Sequence, residues 1–304
     1  MMWVLLAAGS AVFYALHGAW SARVAREIGS LWGAWSLFAF SLPFMAGALA
    51  IRGVPEVEPV FWVALGVNLL LSLLSWSLFF LALRVGELGA LYPILALTPL
   101  FAVPVEWALT GALPARPGLG GILLMVAGVA FVTSTGPEGA PSSQPGEPLE
   151  GRIPRGSLLM LGVAFLWSVG GTVDRVAVLA SSPELYGVLL SGGLALLFLP
   201  LALVRSARPW PERGGAPGFA WEEGRLGGRA GALVLHGFLF AAMFLLQMAA
   251  LEGALASYVL SIKRTGSILA VLMGALLFRE GALARRLLGA ILTVGGAAIL
   301  LIWG

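Results

Sequence analysis

The chain has 304 residues, of which 59% are hydrophobic and only 11% charged, with a mean hydropathy of +0.95. That balance excludes a soluble globule, which carries about 25% charged residues, and points to an all-α protein that crosses a lipid bilayer many times. The formal charge of +3 lies mostly in arginines at segment ends with no basic-aromatic stripe, so no nucleic-acid partner is expected; with no cysteine and two isolated histidines, no disulfide, metal site or cofactor is expected either.

Ten apolar runs of about 18 to 24 residues, each long enough for a membrane helix, follow one another near 2–21, 31–51, 60–83, 88–110, 118–135, 156–180, 184–204, 229–251, 255–278 and 283–303. The first has no basic residues ahead of it, and Arg23 and Arg26 follow it, so it reads as a retained helix rather than a signal peptide. Residues 136–155, rich in Gly, Pro, Ser and Glu, have the composition of a flexible linker and divide the chain into halves of five runs each, 1–135 and 156–304. A second long polar loop covers 205–229.

The halves repeat each other. Leu78-Phe79-Phe80-Leu81-Ala82-Leu83 aligns with Leu246-Gln247-Met248-Ala249-Ala250-Leu251, and Phe13-Tyr14-Ala15-Leu16-His17-Gly18 with Leu166-Trp167-Ser168-Val169-Gly170-Gly171. An odd number of crossings per copy inverts the second copy in the membrane, an arrangement common in secondary transporters, whose sites lie at the repeat interface near the midplane.

The fourth run contains Pro93, Pro99 and Pro104, and its repeat counterpart, the ninth, contains Gly266, so both are expected to bend or break and to flank a cavity. The ninth run also holds Ser261-Ile262-Lys263-Arg264-Thr265-Gly266-Ser267. Each of its two cations costs about 2.5–3.5 kcal/mol at the centre of a membrane helix, so they must face protein or water. Lys263 is the chain's sole lysine, and the sole aspartate, Asp174, and sole asparagine, Asn68, also fall inside predicted spans.

Two readings of Lys263 and Arg264 stand side by side. In one they bind a substrate anion, Arg by bidentate contact and Lys as a compact charge, with Thr265, Ser267 and Thr98 as polar neighbours. In the other they form internal ion pairs with Glu106 or Asp174. Asn68 and its repeat partner His236 either line the cavity or make structural hydrogen bonds; His236 is also a candidate proton carrier. His17 sits near a helix end and is read as structural. Asp174, beside Arg175, is either a helix-end salt bridge or a coupling carboxylate. Tyr14, Trp76, Tyr92 and Trp167 are deep enough to wall a substrate cavity, whereas Trp3, Trp20, Trp62, Trp107 and Trp303 are placed as interfacial anchors. Gly120, Gly121, Gly128, Gly289, Gly295 and Gly296 mark close packing, within one protomer or at a homodimer seam.

The five-plus-five plan, Tyr14-Ala15-Leu16-His17-Gly18, the Trp167-Ser168 and Asp174-Arg175 pairs, and the stretch from Tyr258 to Ser267 ending in Phe278-Arg279-Glu280 resemble the EamA type of the drug/metabolite transporter superfamily. The resemblance implies a transporter of a small organic substrate, driven by a gradient with H+ or Na+ as a possible coupling ion, in a bacterial inner membrane. The Lys263-Arg264 pair is also similar to the one with which plastid sugar-phosphate translocators hold phosphate. No catalytic motif is present, so no enzyme is expected. An exporter of lipophilic cations is the alternative, disfavoured by two central cations without a midplane carboxylate. A non-transporting accessory or sensor protein is another. Thirteen arginines lie in the gaps after odd-numbered runs against three (Arg52, Arg116, Arg175) on the other side, which predicts termini outside the cytoplasm.

Overall fold

In the computed structural model the described residues are 2–85, 91, 94–133, 155–206, 226–266, 268 and 283–303. They form ten helices and no strand: α1 (Met2–Ile28), α2 (Ser30–Arg52), α3 (Pro59–Val85), α4 (Thr98–Thr110), α5 (Arg116–Thr133), α6 (Arg155–Leu179), α7 (Pro183–Ser206), α8 (Leu226–Gly253), α9 (Ala256–Arg264) and α10 (Leu283–Trp303). Helix is the element that bonds every backbone group internally, as lipid requires. Five of these helices, α2, α3, α6, α7 and α8, are long and apolar enough to cross a membrane. In α1, α5 and α10 the apolar stretch is shorter, Met2–Gly18, Arg116–Phe131 and Ile291–Leu300. The protein is an integral, multi-pass membrane protein, and its outer surface carries large apolar side chains such as Val63, Leu70, Leu196, Ile291 and Val294.

The connections are tight where glycine permits them. Gly29, at φ 85°, alone separates α1 from α2, and Gly111 closes α4 in the left-handed conformation (φ 70°), its N–H bonded to the Trp107 carbonyl.

Packing follows an exchange pattern. Counting five helices forward from each, α2 packs on α7, α4 on α9 and α5 on α10; α3 packs on α6, as α8 packs on α1. The first helices of the two halves also run in opposite directions. Trp3, at the start of α1, stacks on Tyr258 just past the α8–α9 turn, and Arg175, near the end of α6, donates from Nε to the Ala254 carbonyl in that same turn at 2.9 Å.

The glycines expected at a close-packed surface meet within this chain. A Cβ built on Gly121 would come 2.9 Å from the Gly296 carbonyl, and one on Gly128 would lie 2.7 Å from the Gly289 carbonyl. These glycines let the α5 and α10 backbones approach until no side chain fits between them. Most of that stripe is therefore consumed inside the protomer.

The two helices expected to be irregular are short. Ahead of α4 the chain turns at Ala96–Leu97, where Leu97 N–H bonds back three residues to Ile94, and Pro99, which has no N–H to give, lies in the first turn of the helix. Helix α9 has nine residues, after which Thr265 and Ile268 also bond three residues back. A Cβ on Gly266 would strike the Ala11 backbone, so the end of α9 reaches α1 because this residue has no side chain.

Candidate functional site

Between α1, α2, α3, α6, α7, α8 and α9 lies a cavity of about 70 Å³. Its walls are largely aromatic, with Tyr14, Phe38, Trp76, Phe79, Trp167 and Phe240 among them, and Trp76 packs on Trp167 at 5.2 Å between ring centroids. Lys263 and Arg264 enter it from the last turn of α9. Neighbours on a helix diverge by about 100°, yet both cations reach the cavity because each bends toward a different neighbour. Lys263 Nζ donates to Oε1 of Gln247 on α8 and sits 5.4 Å over the Tyr14 ring. Arg264 donates to the Tyr14 hydroxyl at 2.6 Å and to Thr98 Oγ1 at 2.9 Å, with its guanidinium 5.0 Å over Tyr14 and 5.2 Å over Trp167. Thr98 in turn donates to the Leu95 carbonyl at 2.7 Å, so its hydroxyl serves the irregular turn before α4 and receives Arg264 at once.

Glu106 does something else. Its carboxyl oxygens accept from Ala256 N–H at 2.7 Å, Ser257 N–H at 3.2 Å and the Ser257 hydroxyl at 2.8 Å. It caps the N-terminus of α9 from the neighbouring α4, satisfying backbone donors that have no partner within the helix. Lys263 lies seven residues further on, about 10 Å along the axis at 1.5 Å per residue. The pairing of Glu106 with Lys263 foreseen from sequence does not form, because the helix start claims the carboxylate.

Asp174, read from sequence as either a helix-end salt bridge or a coupling carboxylate, lines the cavity from α6 and is buried. Its Oδ1 accepts from Nδ2 of Asn68 on α3 and from the Tyr186 hydroxyl on α7 at 2.6 Å, and Asn68 Nδ2 also reaches the Tyr186 oxygen at 2.5 Å and the Gly170 carbonyl at 3.5 Å. Arg175 turns away to the Ala254 carbonyl, so the helix-end pair Asp174–Arg175 is not made. Among the described residues no carboxylate oxygen lies within 4.0 Å of Lys263 Nζ; the ion pairs there are Arg23–Glu27 and Arg52–Glu184.

The histidines are not isolated. His17 on α1 and His236 on α8 stack at 5.5 Å with 9° between their planes, and Ser21 Oγ stands 3.0 Å from Nε2 of each. Both are buried, and His17 lines the cavity. Their adjacency escapes the sequence because it rests on α1 packing against α8.

Sequence and fold comparisons agree with this architecture. The EamA-like transporter family model matches residues 1–134 and 154–302, nearly the whole chain. The chain belongs to the EamA-like transporter family. No protein of curated function is similar to it in sequence. A solved structure whose description reads "Crystal structure of protein" is similar over 99% of this chain and 97% of its own length, with a TM-score of 0.72 and 17% identity, which speaks for the fold alone.

In this EamA-like transporter, eight of the side chains singled out from sequence meet at the cavity: Lys263, Arg264, Asn68, Trp76, Tyr14, Trp167, Asp174 and, through their hydrogen bond with Arg264, Thr98. Thr265 is not among the lining residues; its hydroxyl donates to the Ile262 carbonyl at 2.8 Å. His236 sits one residue behind the lining, against His17. Tyr92 and Ser267 lie outside the described residues. Sequence reasoning missed Gln247, Tyr186 and Ser21. The first two carried a faint signal, one of two glutamines and one of four tyrosines in the chain; Ser21 carried none.

Proposed function

We propose that this chain is a secondary transporter that moves a small organic anion or zwitterion by alternating access, with Lys263 and Arg264 holding the anionic group. In this reading it has ten spans in two inverted five-helix repeats, residues 1–135 and 156–304, joined by the linker 136–155. The observation that carries the reading is Lys263: a buried ammonium at the cavity whose hydrogen-bond partner, Gln247, is neutral. A membrane-embedded cation without an adjacent carboxylate is costly unless a ligand supplies the charge. The lining holds two cations and one carboxylate, so its balance favours an anion over a lipophilic cation, and Asp174 opposite the cations leaves room for the ammonium of a zwitterion. The aromatic walls suit an apolar body behind the charged head.

The test is a thermal-shift screen of carboxylates, phosphates and amino acids on the purified protein, followed by flux in proteoliposomes with whichever compounds stabilise it. Lys263→Ala is expected to stay folded and to weaken binding of those compounds about ten- to a hundredfold, the loss of one charge-assisted contact of about 1.5–3 kcal/mol. Lys263→Arg is expected to rescue only part, since a planar fork does not replace a compact ammonium. Unchanged affinity in a folded Lys263→Ala protein would remove the anion site. Binding without flux would favour an accessory or sensor role.

A further inference from the structure

The repeat alignment extends past the residues that define it. At the spacing that sets Tyr14 against Trp167, His17 falls opposite Gly170 and Ser21 opposite Asp174, while Asn68 corresponds to His236. The structure builds one cluster from each set. In one, Asn68 of α3 bonds to Asp174 of α6 and touches Gly170; a Cβ on Gly170 would sit 3.1 Å from Asn68 Oδ1. In the other, His236 of α8 bonds to Ser21 of α1 and stacks on His17. The same three positions on equivalent helix pairs carry a carboxylate cluster in one half and an imidazole cluster in the other.

The clusters lie at different levels along α8: Tyr186, which bonds to Asp174, packs on Phe244 at 6.1 Å between ring centroids, whereas Ser21 bonds to His236 nearer the start of that helix. Asp174 precedes Arg175, which bonds to Ala254 just past the end of α8; Ser21 follows Trp20, whose Nε1 donates to Ala232 near the start of α8 at 2.9 Å. On α8 itself the two levels are eight residues apart, about 12 Å of helix. Between them is the cavity that His17 and Asp174 both line.

We propose that His17, Ser21 and His236 form a proton-binding station, the counterpart of Asp174 at a different level of the same cavity, and that a proton held there is the coupling ion. The identification of the ion rests on the transporter reading above; the existence of the station does not. The chemistry is a hydrogen-bonded chain with one movable hydroxyl. The Ser21 hydroxyl has a single proton, so it donates to one Nε2 and accepts from the other ring. A proton taken from cavity water by the second ring nitrogen of His17 makes that ring an imidazolium; its Nε2–H donates to Ser21, whose O–H donates to His236 Nε2. One proton enters, one imidazolium forms, and no other bond changes. Among the described residues, His236 Nδ1 is buried without a hydrogen-bond partner. The chain therefore ends at His236, and a proton that enters from the cavity leaves to the cavity: the cluster is a store and not a wire.

The surroundings suit a store. From α3 the pair is faced by Trp76 and Phe80, with Phe240 on α8, none of them ionisable. The ionisable groups that share the cavity with His17 are Tyr14 on its own helix, Asp174 on α6, and Lys263 and Arg264 on α9, while Arg23 beyond Ser21 is exposed and paired with Glu27. Two of the four cavity groups are the cations of the proposed anion site, so an anion bound there and a proton on His17 favour each other, and by linkage each raises the occupancy of the other.

Because the chain contains two histidines, the full-length protein labelled with ¹⁵N-histidine and freed of any affinity tag shows two imidazoles by NMR. The titration runs from about pH 5 to pH 9, the range in which histidine serves as a switch. The expected result is a single step in which both rings change together in wild type. Ser21→Ala cuts the bridge, and the rings then titrate separately. His236→Asn, which puts the residue of the other half at the equivalent place and keeps a side chain able to bond Ser21, moves the titration of His17. Two rings that stay neutral throughout, or a His17 titration identical in wild type and both variants, would overturn the proposal. Neither outcome bears on the anion screen, and a failed screen leaves the NMR result standing.

Discussion

Glu106 and Lys263 are both ionisable residues buried in a membrane protein, and the α9 backbone assigns them opposite duties. Glu106 meets N–H donors that would otherwise be orphaned in lipid, so its role is to hold α9 in place. Glu106→Ala is expected to lower stability by about 2 kcal/mol, since it strands buried donors, while Glu106→Gln keeps an acceptor and retains part of the loss. Thermal unfolding of the two variants side by side checks this, and the compounds found in the anion screen should still stabilise Glu106→Gln with unchanged affinity. Tyr186→Phe tests the carboxylate cluster in the same way. It removes the hydroxyl that donates to Asp174 and leaves a buried carboxylate with one donor fewer, at a cost of about 1–3 kcal/mol in the same unfolding measurement.

At the scale of elements, the short helices α4 and α9 pack against each other and are tied at two points, Glu106 to the start of α9 and Arg264 to Thr98 at the start of α4. The α9 helix ends at Arg264, so both cations leave from its last turn. Close approach has the same importance at the α5–α10 seam. Gly128→Val is expected to destabilise the protein by about 1–3 kcal/mol, because the added carbons would meet the Gly289 carbonyl and the Thr293 backbone. Gly47→Ala on α2 is the control: its Cβ would meet nothing within 4 Å, and replacing a helical glycine there should be neutral or stabilising by up to about 1 kcal/mol. A denaturation series in which Gly128→Val and Gly47→Ala behave alike would mean that the seam opens.

For the whole molecule, the exchange pattern of helix contacts and the opposed directions of α1 and α6 are what two inverted copies around one cavity would produce. Orientation is a separate matter, set by the arginines. Glu27 lies exposed at the arginine-rich end of α1, and Glu56 lies exposed in the connection between α2 and α3 at the opposite end. As the chain has no cysteine of its own, Glu27→Cys and Glu56→Cys each give a unique label. With both termini outside the cytoplasm, an impermeant maleimide added to intact cells should modify Glu56→Cys and reach Glu27→Cys only after permeabilisation. The reverse pattern would place the termini inside.

How much of this was legible in the residues alone follows from the range of the forces involved. Apolar runs, the linker composition, the breaks at Pro99 and Gly266 and the cost of Lys263 and Arg264 in lipid are local properties, and they made the helical membrane class, the family resemblance and the charged residues of the cavity readable. What each polar side chain bonds to was decided by tertiary packing. Arg264 meets Tyr14 across 250 residues of sequence, Ser21 meets His236 across 215, and Glu106 meets Ala256 across 150. Hydropathy says that a buried polar group must find a partner; which partner it finds depends on which helix faces are pressed together, and that is a property of the folded bundle.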